Sequence, residues 1–280
     1  MQIFDLKDIP FNLELSVSCG QAFRWKKIGE FWYAPVNGKV CKVKQEKNRL
    51  CYDGFSESEL IHYFALDADL DKILESIDVD PLIHSAVNDC RGLRIMRQPR
   101  WECLISYICA TCANIPGITM RIENLSEKYG SHQRYDDMDF YTFPDAEIIA
   151  GEDVSEVHQC KVGFRDAYIC GAADFASRNK SWADEISAMD YESAKAKLTE
   201  LKGVGPKVAD CVLLFAFEKY EAVPVDVWIE RILRTKYFKT EKKLSYNKAG
   251  SYAREHFGKY AGYAQEYLYA ERELIAGKSK

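Results

Sequence analysis

Hydrophobic and polar positions along this 280-residue chain change their period once, early in the sequence. Phe23-Arg24-Trp25-Lys26 alternates, which is the period of a strand with one buried face. Phe31-Trp32-Tyr33 leads through Asn37-Gly38 into Lys39-Val40-Cys41-Lys42-Val43-Lys44. Asn-Gly is favoured where both central residues of a hairpin turn need positive φ, so this stretch predicts two paired strands. Asp53-Gly54 marks a further turn. From Ser56 to Ile77 the spacing becomes helical, with Leu60, Tyr63 and Phe64 on one face. Beyond about residue 85 the chain reads as helical nearly throughout. It is broken at Pro99, Pro116-Gly117, Phe143-Pro144, Gly151, Gly163 and the Gly203/Gly205 pair. No internal repeat is present. The pattern predicts an α+β protein, with a small antiparallel β domain over residues 1–84 packed on a larger helical domain over residues 85–280. The cleft between them is the expected active site.

One run carries candidate chemistry. Leu201-Lys202-Gly203-Val204-Gly205-Pro206-Lys207 puts a Gly-x-Gly hairpin before a helix, with Pro206 suited to the first helical position and Lys207 in the first turn. A lysine amine in water titrates near 10.4 and is a poor nucleophile at neutral pH. Desolvation and a helix N-terminus both disfavour the ammonium form. The apolar stretch Cys211 to Phe217 anchors the rest of the helix. Asp226 follows Lys207 by 19 residues, after Val223-Pro224-Val225, and is suited to cap a helix starting near Val227. An amine and a carboxylate held this way suit covalent chemistry beside a DNA strand. The backbone amides of Gly203, Val204 and Gly205 are expected to grip a phosphate.

Leu201 to Asp226 resembles the helix-hairpin-helix, Gly/Pro-rich loop and aspartate signature of the large DNA glycosylase superfamily, in its lysine-bearing, bifunctional branch. Ser18-Cys19-Gly20-Gln21-Ala22-Phe23-Arg24-Trp25 resembles the opening region of the 8-oxoguanine DNA glycosylases. Glu102 to Cys109 with Asn114-Ile115 resembles their first central helix and the loop that enters the duplex. Gly163 to Ile169 and Ala261 to Tyr269 resemble a DNA-contact segment and the helix lining the base pocket. The resemblance is collinear over nearly the whole chain.

The resemblance implies that a damaged nucleotide is flipped into a pocket. Lys207 attacks C1′ and displaces the base, and the Schiff base then permits β-elimination 3′ to the abasic site. Asp226 stabilises the developing sugar charge, and no cofactor or metal is needed. The Gly20 carbonyl would accept from N7–H of 8-oxoguanine, a hydrogen that guanine lacks. Gln265 would bond the Watson–Crick edge, Cys211 and Tyr269 would sandwich the ring, and Pro224 would complete the pocket wall. Asn114, Phe164, Arg165, Gly203, Val204, Gly205 and Trp228 are the expected DNA contacts.

Two departures bear on specificity. Eukaryotic members carry three asparagines in the intercalating loop followed by Ile-Ala-Arg. Here the stretch is Cys112-Ala113-Asn114-Ile115-Pro116-Gly117, so Gly117 replaces an arginine that reads the orphaned cytosine. Arg165 remains as the second reader, with Phe164 as the wedge. Relaxed discrimination of the opposite base is therefore expected. The family histidine two residues after the aspartate is here Trp228, which is left to stack. Two other readings stay open: a glycosylase for another altered base, or a damage-binding module without catalysis. Lys207 argues against the monofunctional alkyl-base enzymes. The absence of any cysteine after Cys211 argues against the branch with a C-terminal iron–sulfur loop.

Composition changes this picture little. The net charge of −5 weighs slightly against nucleic acid, but phosphate affinity depends on local fields. Two basic clusters exist, one from Arg91 to Arg100 and one from Arg231 to Lys243. Ten cysteines invite disulfides or metal. Asp5, Lys7, Asp8 and Glu14 interrupt any leader-like apolar stretch, so a cytoplasmic setting with free thiols is expected, nucleoid-associated if the source is bacterial. Cys109-Ala110-Thr111-Cys112 lacks a second pair and falls in an apolar helix. No run is long enough to span a membrane. The expected partner is duplex DNA containing 8-oxoguanine, met by a monomer.

Overall fold

A computed structural model describes residues 1–276. The N-terminal part forms a five-stranded antiparallel sheet from β1 (Gln2–Asp5), β2 (Lys26–Ile28), β3 (Phe31–Val36), β4 (Lys39–Glu46) and β5 (Arg49–Asp53), in the order β1-β5-β4-β3-β2. The β3–β4 turn is Asn37-Gly38, with φ of 48° and 79°, and Val36 pairs with Lys39. Both central residues thus adopt the left-handed conformation that Asn-Gly tolerates. The sheet closes over Leu6, Trp25, Val43, Leu50 and Tyr52, together with the helix Glu57–Tyr63.

Three local expectations are corrected. Phe23-Arg24-Trp25 is not a strand, and only Lys26 of that stretch joins β2. Phe23 packs into the helical core and Trp25 into the sheet core, so the segment crosses between cores with both faces covered. The helical run Ser56 to Ile77 is two helices, Glu57–Tyr63 and Leu70–Ile77. Ala65 at φ 51° breaks it, and Asp69 caps the restart. The helical region also contains a hairpin, β6 (His132–Tyr135) and β7 (Met138–Tyr141). Its turn is Asp136-Asp137, at φ 47° and 60°, which carries none of the usual glycine signal. The hairpin docks on the sheet: the Gln133 side chain accepts from Val40 N–H, Lys42 pairs with Asp136, and Tyr33 stacks on Phe140.

The remaining helices share one large core, which includes the helix Leu70–Ile77 as well as the helices after it. Arg94 ties the two cores together. It is 1% exposed and donates to the carbonyls of Pro10, Ala65 and Ala68. Its neighbours are also committed, Arg91 to Asp71, Arg97 to Asp67 and Glu218, and Arg100 to Asp184. Within the first basic cluster of the sequence, Arg94 and Arg97 are therefore built into the fold, while Arg91 and Arg100 sit at the surface in ion pairs. Among the described residues no helix is long and apolar enough to cross a membrane, and the cysteines form no disulfide.

Candidate active site

The hairpin that presents the lysine joins the helices Tyr191–Thr199 and Pro206–Ala216. Gly205 is the N-cap and Pro206 the first helical residue, as its missing N–H allows. Gly203 has φ +88°, and a Cβ there would stand 2.5 Å from the Tyr168 ring. The chain reverses against Tyr168 at a distance only glycine permits. The Val204 amide donates to the Leu201 carbonyl at 3.0 Å. It is thus engaged inside the hairpin, whereas Gly203 and Gly205 line a cleft of about 1200 Å³.

Lys207 and Asp226 both line that cleft. Lys207 Nζ lies 6.0 Å from the Tyr107 ring centroid. Asp226 caps the helix Val227–Ile232, its Oδ1 accepting from the amides of Trp228 at 2.9 Å and Ile229 at 2.8 Å. Burial pushes its carboxyl above the usual aspartate value, against the opposing pull of those amides, Lys207 and Arg272. Two structural groups hold the amine and the carboxylate together. Asp210, wholly buried on the lysine helix, accepts from Tyr191, Lys195 and Tyr246. The Tyr246 hydroxyl that donates to Asp210 also lies 3.3 Å from the carbonyls of Pro206 and Val223, at the roots of the segments that carry Lys207 and Asp226.

The expected pocket residues meet in the same cleft. Gly20, Cys211, Pro224, Gln265 and Tyr269 all line it. Gly20 has φ +95°, and its missing Cβ would lie 3.5 Å from the Tyr269 ring and 3.4 Å from Ile115. The Gly20 loop is fastened by Gln21, which is 1% exposed. Its amide donates to the carbonyls of Ser16 and Arg94 and accepts from the Met96 amide, while its own carbonyl accepts from Tyr107 and Gln98. Gln265 is buried, and its Oε1 has no partner among the described residues. Burial pushes the Cys211 thiol and the Tyr269 phenol up to about 12, so both are neutral surfaces at physiological pH.

The helix Ala261–Ala270 brings Gln265 and Tyr269 here by close approach at Gly262, where a Cβ would meet the Ala222 carbonyl at 2.6 Å. It also carries Glu266, which reasoning from the sequence missed. Glu266 lines the cleft, is 3% exposed, and accepts from the Cys19 thiol at 3.0 Å. Burial raises it from the ordinary 4.5 to about 7. The only sequence signal was a glutamate on an otherwise apolar helix. Gln21, Tyr107, Asp210 and Tyr246 were likewise unmarked, since their partners are remote in sequence.

The residues expected to contact DNA divide. Asn114 and Trp228 line the cleft, with the Arg231 guanidinium 5.1 Å from the Trp228 ring, and Arg231, Arg234 and Lys243 of the second basic cluster are in its wall. Phe164 stands outside it, 56% exposed. Arg165 is buried beneath Phe164, its guanidinium 4.3 Å from that ring and donating to the carbonyls of Val162 and Thr111.

Comparison with known proteins agrees with this geometry. Residues 3–104 match the family model "8-oxoguanine DNA glycosylase, N-terminal domain". The chain is 31% identical to a probable N-glycosylase/DNA lyase of Methanothermobacter thermautotrophicus, over 92% of each chain. It is 28% identical to an N-glycosylase/DNA lyase of Arabidopsis thaliana, over 96% of this chain and 79% of the relative. Among solved structures it resembles the 8-oxoguanine glycosylase/lyase of Clostridium acetobutylicum in complex with duplex DNA containing cytosine opposite 8-oxoguanine. That match has a TM-score of 0.89 and 30% identity, over 98% of each chain.

Proposed function

Since the chain belongs to the 8-oxoguanine DNA glycosylase family of N-glycosylase/DNA lyases, we propose that it excises 8-oxoguanine from duplex DNA with Lys207 as nucleophile and Asp226 as its carboxylate partner. The observation that carries this assignment is that Lys207 and Asp226 share one cleft with Gly20, Cys211, Gln265 and Tyr269. A base inside the stack is out of reach of that cleft, so the nucleotide is extruded into it. The Lys207 amine forms a bond to C1′ as the C1′–N9 bond breaks, the departing base takes up the proton that the amine loses, and opening of the C1′–O4′ bond then leaves a Schiff base. Asp226, held by its helix cap, faces the positive charge that develops on the sugar. Loss of a proton from C2′ of the resulting Schiff base expels the 3′ phosphate and cuts the strand.

Recognition follows from what the pocket offers. The Gly20 carbonyl accepts from N7–H of 8-oxoguanine, whereas guanine presents a lone pair to it. One such bond is worth about 1–3 kcal/mol. Gln265, with Oε1 unpartnered, meets the Watson–Crick edge, and Cys211 and Tyr269 flank the ring. Pro224 stiffens the wall beside Asp226. Gly203 and Gly205 approach a phosphate, and Trp228 stacks near the strand. Asn114 and Phe164 enter the duplex. Because Gly117 stands where the family has an arginine, discrimination among opposite bases is relaxed. The protein acts as a monomer in the cytoplasm, on the nucleoid if the source is bacterial.

Borohydride trapping on a duplex with one 8-oxoguanine opposite cytosine tests the assignment. A covalent adduct with the lesion alone, lost in Lys207→Gln, is expected. Cleavage by Lys207→Gln equal to that of the parent would overturn the role of Lys207. Tight lesion binding without an adduct would return the site to a non-covalent enzyme or a binding module.

A further inference from the structure

Gly117 leaves a gap in the first turn of the helix Ile115–Tyr129, and another arginine fills it. A Cβ on Gly117 would stand 3.4 Å from Arg121 Nη1 and 3.0 Å from Asn114 Oδ1. Arg121 is one turn further along the same helix, and its guanidinium points back toward the duplex-facing loop, as helical side chains do. Its Nη1 donates to the Cys109 carbonyl at 3.4 Å, a long bond near the limit of significance. Arg165 approaches the same loop from the other side and donates to the Thr111 carbonyl. Burial first, and the nearby Arg121 charge second, lower the proton affinity of the Arg165 guanidinium. The Nε–H groups of both arginines are buried and without a hydrogen-bond partner among the described residues. Two like charges with spare donors, satisfied only by loop carbonyls, form a site in want of acceptors.

We infer that Arg121 and Arg165 together read the base left behind opposite the extruded nucleotide, with Arg121 reaching through the space that Gly117 leaves open. The inference rests on the proposed extrusion of a base. The prongs on either side, Asn114 and Phe164, border this pair of arginines, and the carbonyls of Cys109 and Thr111 are the acceptors that a base edge displaces. A guanidinium offers donors only. Cytosine presents two adjacent acceptors, O2 and N3, on its Watson–Crick edge. Thymine and guanine interpose an N–H donor, and adenine offers a single acceptor on that edge. Two converging guanidinium groups therefore favour cytosine, and Arg121 supplies the discrimination that survives the loss of an arginine at position 117.

The test is the affinity of the parent and Arg121→Met for duplexes carrying a tetrahydrofuran abasic analogue opposite C, A, G or T. The expected result is a preference for C in the parent that falls roughly tenfold in Arg121→Met, with affinity for the other three nearly unchanged. Equal weakening against all four bases would show that Arg121 only braces the loop, and would overturn the inference. So would a parent with no preference. If Arg121→Met does not fold, Arg121→Lys serves the same comparison, because it keeps the charge and stem but loses the planar fork. Excision of 8-oxoguanine is assayed in parallel. Its failure would refute the proposed substrate while the abasic duplexes still report on Arg121.

Discussion

The Tyr107 hydroxyl donates to the Gln21 carbonyl at 3.0 Å, while the ring of the same residue lies 6.0 Å from Lys207 Nζ. One side chain thus links the loop proposed to recognise the base to the amine proposed to attack the sugar. The ring is clamped by Phe215, stacked at 5.6 Å, and by Phe23, edge-on at 5.5 Å. Tyr107→Phe keeps this clamp and removes only the bond to Gln21, whose carbonyl still accepts from Gln98. Thermal unfolding should show a loss of about 1 kcal/mol. Discrimination of 8-oxoguanine from guanine should fall further than that, and an unchanged ratio of excision rates would separate the loop from the amine.

Glu266 makes stability depend on pH. Its folded value of about 7 lies above the ordinary 4.5, so the folded state holds a proton that the unfolded chain has released. The associated stability is fully present below pH 4.5 and is lost as pH rises through 7, an effect of about 3 kcal/mol. Denaturant melts at pH 5 and 8.5 should show Glu266→Gln gaining on the parent at the higher pH. Parallel curves for the two proteins would contradict the buried acid.

Asp226 should set an acid limb on excision. Only its carboxylate stabilises a positive sugar, and burial raises the pH at which that carboxylate is protonated. Single-turnover rates should therefore fall with decreasing pH sooner than an ordinary aspartate would allow. Asp226→Asn retains an oxygen for the cap but not the charge. Its rate should drop about 10²–10³-fold and lose the acid limb, with the melting temperature changed much less.

Asp210 is a structural brace. Tyr191, Lys195 and Tyr246 converge on a carboxylate that is 0% exposed. Asp210→Ala leaves a partly buried ammonium and two tyrosine hydroxyls without this acceptor, at a cost of about 3 kcal/mol. Calorimetry should register this, and adduct formation should fall because the lysine helix and the Val223 segment lose their common anchor.

Gly203→Ala attacks the hairpin. The position combines φ +88° with a Cβ 2.5 Å from the Tyr168 ring, so the methyl group forces the turn away from Tyr168. DNA affinity should fall by at least tenfold, whereas Gly205→Ala, with no neighbour within 4 Å of its Cβ, should be tolerated better by the fold.

Local signals in the sequence carried the Asn37-Gly38 hairpin, the Pro206 start of the lysine helix and the Asp226 cap. Each depends on a backbone requirement that a few adjacent residues meet by themselves. The collinear motifs also carried the family and the cluster of Lys207, Asp226, Gly20 and Gln265. Only the tertiary structure decided that Phe23 and Trp25 belong to different cores, that Asp136-Asp137 turns a hairpin, and that Arg94 and Arg97 are built into the fold. It also decided that Glu266 is buried beside Cys19 and that Arg121 occupies the space beside Gly117. The reason is that burial, and with it the state of every charged group, is set by neighbours from distant parts of the chain. Cys19 and Glu266 are 247 positions apart, and no period or motif in a single sequence records that they touch.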